Sequence, residues 1–225
     1  MQHKSEYLDL RLCDNMQLMA QYPNKHFELA ICDPPYGINA ANKTSHLKNA
    51  LTKYIAKIWD NATPDKEYFD ELLRVSKHQI IWGGNYFAHL LPPAKKWIVW
   101  NKVQAEGMDQ AMHELAWQSQ DNKQAAIFTK SIQSSCNKVA NNKHKAKQYM
   151  KIHPTQKPVA LYKWLLDKYA KAGDKILDTH LGSGSIAIAC HDYKYHLTAC
   201  ELDSDYFAAM QTRVENHLKQ TTILF

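Results

Sequence analysis

The chain lacks any Cys-x-x-Cys pair, any apolar run long enough to span a membrane, and any apolar stretch among its first residues. Its five cysteines are scattered, at Cys13, Cys32, Cys136, Cys190 and Cys200. Neither a disulfide framework nor a zinc site is therefore predicted, and the thiols are expected to be reduced and mostly buried. These absences favour a soluble, cytoplasmic protein that contacts no membrane.

The sequence also has only a small excess of positive over negative charge. The 28 lysine and arginine residues stand against 22 aspartate and glutamate residues, a formal net charge of +6. Such an excess is compatible with a nucleic-acid partner and equally typical of a solvated basic surface. The 225 residues, 45% of them hydrophobic, suit one domain with a sizeable core and are too few for two full domains.

Short apolar or β-branched runs alternate with helical patterns along the chain. We predict strands at residues 7–12, 27–32, 79–82, 97–100, 114–117, 175–178 and 196–200. Thr63 and Pro64 predict the start of one helix, Pro158 the start of a second that ends at Gly173, and residues 203–219 a third. This alternation indicates an α/β fold with a doubly wound, mostly parallel sheet. Two polar, lysine-rich segments, residues 37–57 and 121–152, are interpreted as insertions in that domain.

A strand, a turn of small residues and the apolar start of a helix follow one another at residues 176–186. Gly182 and Gly184 would let the backbone approach a ligand that a Cβ would exclude, and the helix start offers unpaired N–H groups. Glu201, at the end of the next strand, is suitably placed to bind ribose hydroxyls. The pattern predicts a nucleoside-cofactor site, with a tight structural turn as the alternative. The Lys-Ser/Thr pair of a P-loop is missing.

The predicted strand at residues 27–32 leads directly into Asp33-Pro34-Pro35-Tyr36. The two prolines fix the backbone and remove two N–H donors, so the turn should be a rigid cup with a carboxylate, a free carbonyl and an aromatic ring. The exocyclic amino group of a base needs these parts, because it requires two acceptors for its hydrogens and a platform for its ring. A purely structural Pro-Pro turn is the alternative. The turn that contains Gly182 and Gly184, called the Gly-rich turn below, argues against this alternative because it predicts a cofactor site in the same chain.

The two turns resemble the catalytic and cofactor motifs of the amino DNA methyltransferases, and their order resembles the permuted β group of that family. Other stretches are similar to that family as well, so the similarity covers most of the chain outside the polar segments. They are Leu10-Arg11-Leu12-Cys13-Asp14, residues 80–87, residues 97–102, Glu114-Leu115-Ala116-Trp117 and His153-Pro154-Thr155-Gln156-Lys157-Pro158. The resemblance implies a Rossmann-like methyltransferase fold with small polar insertions, in a single domain that covers residues 1–225.

The resemblance also implies a mechanism in which the target base is flipped out of the DNA. The Asp33 carboxylate and the Pro34 carbonyl would accept its two amino N–H bonds, Pro35 would complete the turn, and Tyr36 would stack on the ring. S-adenosylmethionine would supply the methyl group, and neither a metal nor a cysteine nucleophile is required. The residues implied to hold that cofactor are Asp14, Lys157, Asp178, His180, Gly182, Ser183, Gly184 and Glu201.

The family places its target-recognition region where this chain has residues 121–152, a short segment by comparison. Lys143, Lys145 and Lys147 are therefore predicted to contact DNA phosphates, with a solvated lysine surface as the alternative. Residues 37–57 are a second candidate DNA-contact loop. A recognition region this short implies few base contacts, or a homodimeric or accessory specificity partner.

The resemblance implies a site-specific enzyme of the prokaryotic or phage restriction-modification type. Asp33 predicts adenine N6 as the methylated atom, since Ser commonly takes its position in the cytosine-N4 enzymes of the family. Cytosine-N4 methylation and a catalytically silent DNA-binding module with the same fold stay open as alternatives. His180 stands where the family has Phe, and it predicts either altered packing and pH response or a neutral ring that replaces the phenyl group.

Overall fold

The computed structural model describes residues 1–39, 60–104, 111–120, 124–131 and 152–222. Within these ranges nine strands form one sheet. The strands are β1 Gln2–Lys4, β2 Leu8–Leu12, β3 Phe27–Cys32, β4 Ser76–Trp82, β5 Trp97–Asn101, β6 His113–Gln118, β7 Ala126–Thr129, β8 Lys175–Asp178 and β9 His196–Glu201. The α-helices are α1 Asn15–Met19, α2 Lys66–Val75, α3 Val159–Tyr169, α4 Ser185–Tyr193 and α5 Ser204–Thr222, and Ala88–Leu90 form a short 3-10 helix.

The order of the strands across the sheet is β1-β2-β9-β8-β3-β4-β6-β5-β7. The strands from β2 to β4 in that order run parallel to one another. Strand β6 is antiparallel to both β4 and β5, and β1 is antiparallel to β2. The mostly parallel sheet with helices on both faces confirms the predicted fold class.

The central strand β3 is apolar on both sides because helices cover both faces of the sheet. Leu29 and Ile31 belong to the core beneath α3, α4 and α5, whereas Ala30 and Cys32 belong to the core beneath α1 and α2. Successive side chains of a strand point to opposite faces, so a strand buried on both faces has a continuous apolar run. Complete burial of a side chain such as Leu29 contributes roughly 1.5–3 kcal/mol to stability.

The sheet has its switch point between β8 and β3. From β8 the chain continues through α4 to β9 on one side, and from β3 it continues to β4 on the other side. Because the two connections diverge, the carboxyl ends of these neighbouring strands leave a crevice, which is where open α/β sheets bind ligands. The Gly-rich turn follows β8 and the Asp33 turn follows β3, so both predicted motifs begin at this crevice.

Two of the predicted helix boundaries are wrong. Helix α2 is capped by Asp65, whose carboxylate accepts the Tyr68 N–H, and not by Thr63, because a side-chain acceptor closer to the first turn satisfies the free N–H groups. Helix α3 ends at Tyr169, since Ala170 is already extended, so Gly173 lies in the turn that follows.

Four short elements were not predicted from the sequence, namely β1, α1, β7 and the 3-10 helix at Ala88–Leu90. Strand β7 lies inside the polar segment 121–152 and extends the sheet beside β5, so this segment includes an edge strand. No helix in the described part of the chain is both long and apolar enough to cross a membrane. The four cysteines found in the described ranges are free thiols, three of them buried, and Cys136 lies outside those ranges.

Candidate active site

A cleft of about 220 Å³ opens at the switch point, and both predicted turns line it. Asp33 and Lys157, which are 124 positions apart in the sequence, meet there. The predicted site residues that line the cleft are Asp14, Asp33, Pro34, Pro35, Tyr36, Lys157, His180, Gly182, Ser183 and Glu201. The fold therefore brings most of the predicted cofactor and base residues to one place.

Asp178 and Gly184 do not line this cleft but shape the turn behind it. The carboxylate of Asp178 accepts the backbone N–H of His180 at 3.0 Å, and burial raises the pKa of Asp178 to about 8. Gly184 has φ +71, and a Cβ there would lie 2.5 Å from Cγ of Met210 on α5. Glycine is required at this position because α4 begins in close contact with α5.

Gly182 is different, since its missing side chain faces the cleft. A Cβ at Gly182 would approach its nearest neighbours, the His153 ring and the His180 carbonyl, no closer than 3.9 Å. The Gly182 N–H donates to Oε2 of Glu201 at 2.8 Å, and Oε1 of Glu201 accepts the Asp203 N–H at 2.9 Å. The turn is thus fixed by a carboxylate while its backbone leaves room for a ligand.

Acidic groups dominate the lining of the cleft. Four carboxyl groups line its described part, those of Asp14, Asp33, Asp60 and Glu201, against the single ammonium of Lys157. The Asp14 carboxylate also caps α1 by accepting the Gln17 N–H at 3.0 Å. A cavity with this balance of charge suits a ligand that carries positive charge.

His180 is held as a neutral ring. Its Nε2 lies 3.2 Å from the side-chain nitrogen of Asn15, and its Nδ1 lies 3.0 Å from the Thr179 hydroxyl. The ring also packs edge-on against Tyr68, with centroids 5.3 Å apart. Burial lowers the pKa of His180 to about 4. This environment favours a histidine that takes the place of an aromatic ring over one that titrates near neutrality.

The Asp33 turn is fastened by hydrogen bonds at both ends. Oδ1 of Asp33 accepts the Tyr36 hydroxyl at 2.6 Å. Oδ1 of the buried Asp60 accepts the backbone N–H groups of Tyr36 at 2.7 Å and Gly37 at 2.9 Å. Asp60 was not predicted as a site residue, because no local pattern distinguishes it from other acidic residues between strands.

The Tyr36 ring is packed tightly in place. It stacks on Tyr86 with centroids 5.0 Å apart and an angle of 14° between the rings. It also touches Gly83, because a Cβ at Gly83 would lie 2.1 Å from Cε1 of Tyr36. Burial raises the pKa of Tyr36 well above its usual value, so the hydroxyl stays protonated and donates to Asp33.

Lys157 lies against the carboxylate of Asp33. Its side chain is buried, and its Nζ is 2.5 Å from Oδ2 of Asp33 and 3.0 Å from Oε2 of Glu114. The Nζ also donates to the Tyr36 hydroxyl oxygen at 3.2 Å. Glu114 in turn pairs with the buried Lys102 at 2.5 Å. A row of alternating charges thus runs from Lys102 to Asp33.

Glu114 and Arg213 are two further residues that were not predicted as part of the site. The sequence did carry a signal for Glu114, which is a charged residue directly before the apolar run Leu115-Ala116-Trp117 of strand β6. Nη1 of Arg213 donates to the Ser183 carbonyl at 2.6 Å and to the Ser185 hydroxyl at 3.0 Å, so α5 supports the Gly-rich turn. Arg213 stands among several charged residues on a long helix, and nothing in the pattern marks it. The predicted DNA-contact residues Lys143, Lys145 and Lys147 lie outside the described residues.

The family follows from a comparison of the sequence with known protein families. Residues 85–212 match the model of the N6/N4 DNA methylases, described as DNA methylase. The matched region includes the Gly-rich turn and the segment around Lys157, and it begins after the Asp33 turn. The chain belongs to this family of DNA amino-methyltransferases, which confirms the resemblance drawn from its motifs.

Individual relatives are distant in sequence and similar in fold. The chain is 22% identical to the type II methyltransferase M.HpaI of Haemophilus parainfluenzae, over 93% of this chain and 75% of that protein. The M1.HpyAVI–SAM complex superposes with a TM-score of 0.57 at 16% identity, covering 92% of this chain and 99% of that one. The cytosine-N4-specific PvuII DNA methyltransferase superposes with a TM-score of 0.61 at 12% identity, covering 95% and 90%. At these identities the solved structures show a shared fold.

Proposed function

We propose that this chain uses S-adenosylmethionine to methylate the exocyclic N6 of adenine in DNA at specific sites. The observation that carries the proposal is the meeting of Asp33, Pro34 and Tyr36 with the Gly-rich turn in one cleft. A chain that only bound DNA would have no use for a rigid pair of acceptors beside such a turn. The catalytically silent module is therefore the weaker reading.

The residues present fit the proposed cofactor. S-adenosylmethionine, when bound, supplies a methyl group from a positively charged sulfur, and two proteins of this fold, M1.HpyAVI and TTHA0409 of Thermus thermophilus, were solved with it. The open side of Gly182 admits a ligand that a Cβ would exclude. The acidic lining suits its cationic character. Asp14, His180, Ser183 and Glu201 would hold it together with Gly182.

The Asp33 turn supplies the acceptors for a flipped base. An ionised carboxylate offers about four lone-pair sites, and two on Asp33 are taken by Tyr36 and Lys157. The remaining sites and the Pro34 carbonyl can accept the two N–H bonds of an amino group. Those acceptors would draw the nitrogen toward tetrahedral geometry and stabilise the positive charge that develops on it.

The choice of adenine over cytosine rests on Asp33. In the family, Ser commonly occupies this position in enzymes that act on cytosine N4, and this chain has Asp. Cytosine N4 stays the second candidate, because the PvuII enzyme with the same fold is specific for it.

The test is methyl transfer from labelled S-adenosylmethionine to unmethylated DNA, followed by mass spectrometry of the nucleosides. We expect N6-methyladenine from the wild type. Asp33→Ala should lose about 10²–10³ in rate while it binds the cofactor nearly as well, since it removes one preorganised acceptor for the base. Asp70→Ala, which removes an exposed carboxylate on α2, serves as the matched control and should retain the rate.

Each other outcome has a definite meaning. N4-methylcytosine alone would replace the adenine proposal by the second candidate. DNA binding without any methyl transfer would support the silent module. Near-normal turnover in Asp33→Ala would contradict the assignment of the site.

A further inference from the structure

We infer that Lys157 and Glu114 form a buried charge couple that positions Asp33 for the amino group, so that Lys157 serves the base site and does not bind the cofactor. The inference rests on the proposed role of Asp33 as the acceptor of that group. The resemblance to the family places Lys157 among the cofactor residues, and the contacts of its ammonium group argue for a different role.

The first argument is the number of donors. An ammonium group has three N–H donors and no acceptor. Nζ of Lys157 lies 2.5 Å from Asp33, 3.0 Å from Glu114 and 3.2 Å from the Tyr36 hydroxyl. Asp33 and Tyr36 accept hydrogen bonds from Nζ, and Glu114 is its second ion-pair partner. These three groups belong to the Asp33 turn or to β6, so the described contacts of the ammonium group are with the proposed base site.

The second argument is the cost of burying the charge. The Lys157 side chain is only 2% exposed, and an ammonium group removed from water to this degree is strongly destabilising unless it is paired. Two carboxylates compensate for that cost and fix the ammonium between them. Since the backbone carbonyl of Lys157 also accepts the Ser185 hydroxyl at 2.7 Å, its main chain is tied to the start of α4.

The third argument concerns the sign of the charge that Asp33 must face. A lysine paired with Asp33 alone would oppose the positive charge that develops on the base nitrogen. Glu114 shares that lysine, and against the effect of burial the Lys157 and Lys102 ammonium groups, the latter 2.5 Å from Glu114, together lower the pKa of Glu114. The couple therefore holds Asp33 in a fixed orientation while it limits how far the ammonium neutralises it.

The couple makes two opposite predictions for the pKa of Asp33. Burial raises this pKa most, the Lys157 ammonium lowers it, and the Glu114 carboxylate raises it. The other titratable groups that face Asp33 are Tyr36, Tyr162 and Asp178. Lys157→Met should therefore raise the pKa of Asp33, whereas Glu114→Gln should lower it.

The experiment is a carboxyl-carbon NMR titration of the full chain labelled at aspartate, without DNA or cofactor, with Asp33 assigned through Asp33→Asn. The pH dependence of kcat on DNA is measured in parallel. Lys157→Met should shift the acid limb of kcat upward and lower the maximal rate by about 10²-fold, as expected when a reacting group is misplaced. Glu114→Gln should shift that limb downward. Lys157→Arg, which keeps the charge, should leave the pKa of Asp33 close to its wild-type value.

The control is Lys163→Met, the same chemical change on α3, where Lys163 pairs with Asp192 at 2.7 Å on a more exposed surface. It should leave both the pKa of Asp33 and kcat unchanged. Calorimetric titration with S-adenosylmethionine should give the same affinity for Lys157→Met and the wild type. If Lys157→Met does not fold, the predicted downward shift of the Asp33 pKa in Glu114→Gln tests the inference by itself.

Two results would overturn the inference. One is an Asp33 pKa that moves in the same direction in both variants or does not respond to Glu114→Gln. The other is a large loss of cofactor affinity in Lys157→Met, which would return Lys157 to the cofactor site. Opposite NMR shifts in a protein that transfers no methyl group to adenine would instead refute the proposed function and leave the charge couple standing.

Discussion

Gly83→Ala should disturb the Asp33 turn from a neighbouring strand end that was not predicted as part of the site. Gly83 follows β4 with φ +70, and a Cβ there would lie 2.1 Å from Cε1 and 2.6 Å from Cζ of Tyr36. The ring has little room to retreat, because Tyr86 stacks on it and its hydroxyl is bonded to Asp33. The added methyl group must therefore displace Tyr36 and loosen the hydrogen bond to Asp33.

The magnitude has two parts. A non-glycine residue in the left-handed region costs about 1–2 kcal/mol. An extra methyl group in a packed site costs about 1–3 kcal/mol more. The free energy of unfolding should therefore fall by about 2–5 kcal/mol, which for a protein of this size lowers Tm by on the order of 4–20 °C.

The control for Gly83→Ala is Gly173→Ala. Gly173 has φ +89, and a Cβ there would meet no atom within 4 Å. Alanine at this position should therefore lower the free energy of unfolding only by the cost of the left-handed backbone. Thermal unfolding of both variants isolates the contact with Tyr36, and methyl transfer should fall only in Gly83→Ala. In a Tyr36→Ala background, Gly83→Ala should cost about as little as Gly173→Ala, since the ring it strikes is gone. Equal losses of Tm for the two glycine variants in the wild-type background would refute the packing argument.

Two further predictions concern the pH response and the DNA contact. Burial lowers the pKa of His180 to about 4, below its ordinary 6.5, so the unfolded chain binds this proton first and wild-type stability should fall as pH drops from about 6.5 to about 4. His180→Phe should flatten that decline in urea unfolding measured across this range, and an unchanged slope would show that the histidine is not held neutral. Replacing Lys143, Lys145 and Lys147 together by Ala should weaken binding to all DNA sequences alike and reduce the log–log salt slope by up to about three, if each contacts a phosphate. Equal slopes for the triple variant and the wild type would transfer the phosphate contacts to residues 37–57.

The fold class and the two turns could be predicted from the sequence, because both depend on local patterns of residues. The strand Phe27–Cys32 is apolar at every position except Glu28. A nearly continuous apolar run of this kind is typical of a strand that is covered on both faces. Asp33 to Tyr36 follow that strand without a gap, and Gly182 and Gly184 lie in the short turn between β8 and α4. In parallel sheets the carboxyl ends of the strands share one edge, so these turns had to meet near one another.

Which side chains meet at that edge depends on how the strands and helices pack together in three dimensions. Lys157 approaches Asp33 across 124 positions, and Asp60 reaches the Tyr36 amide across a segment that the sequence marks only as polar. The position of Asp178 behind the Gly-rich turn, outside the lining of the cleft, also depends on packing. The side chain is buried there and accepts the backbone N–H of His180. Periodicity predicts which face of an element is buried, whereas the partner of a buried charge depends on strand register and on the helix that covers the site.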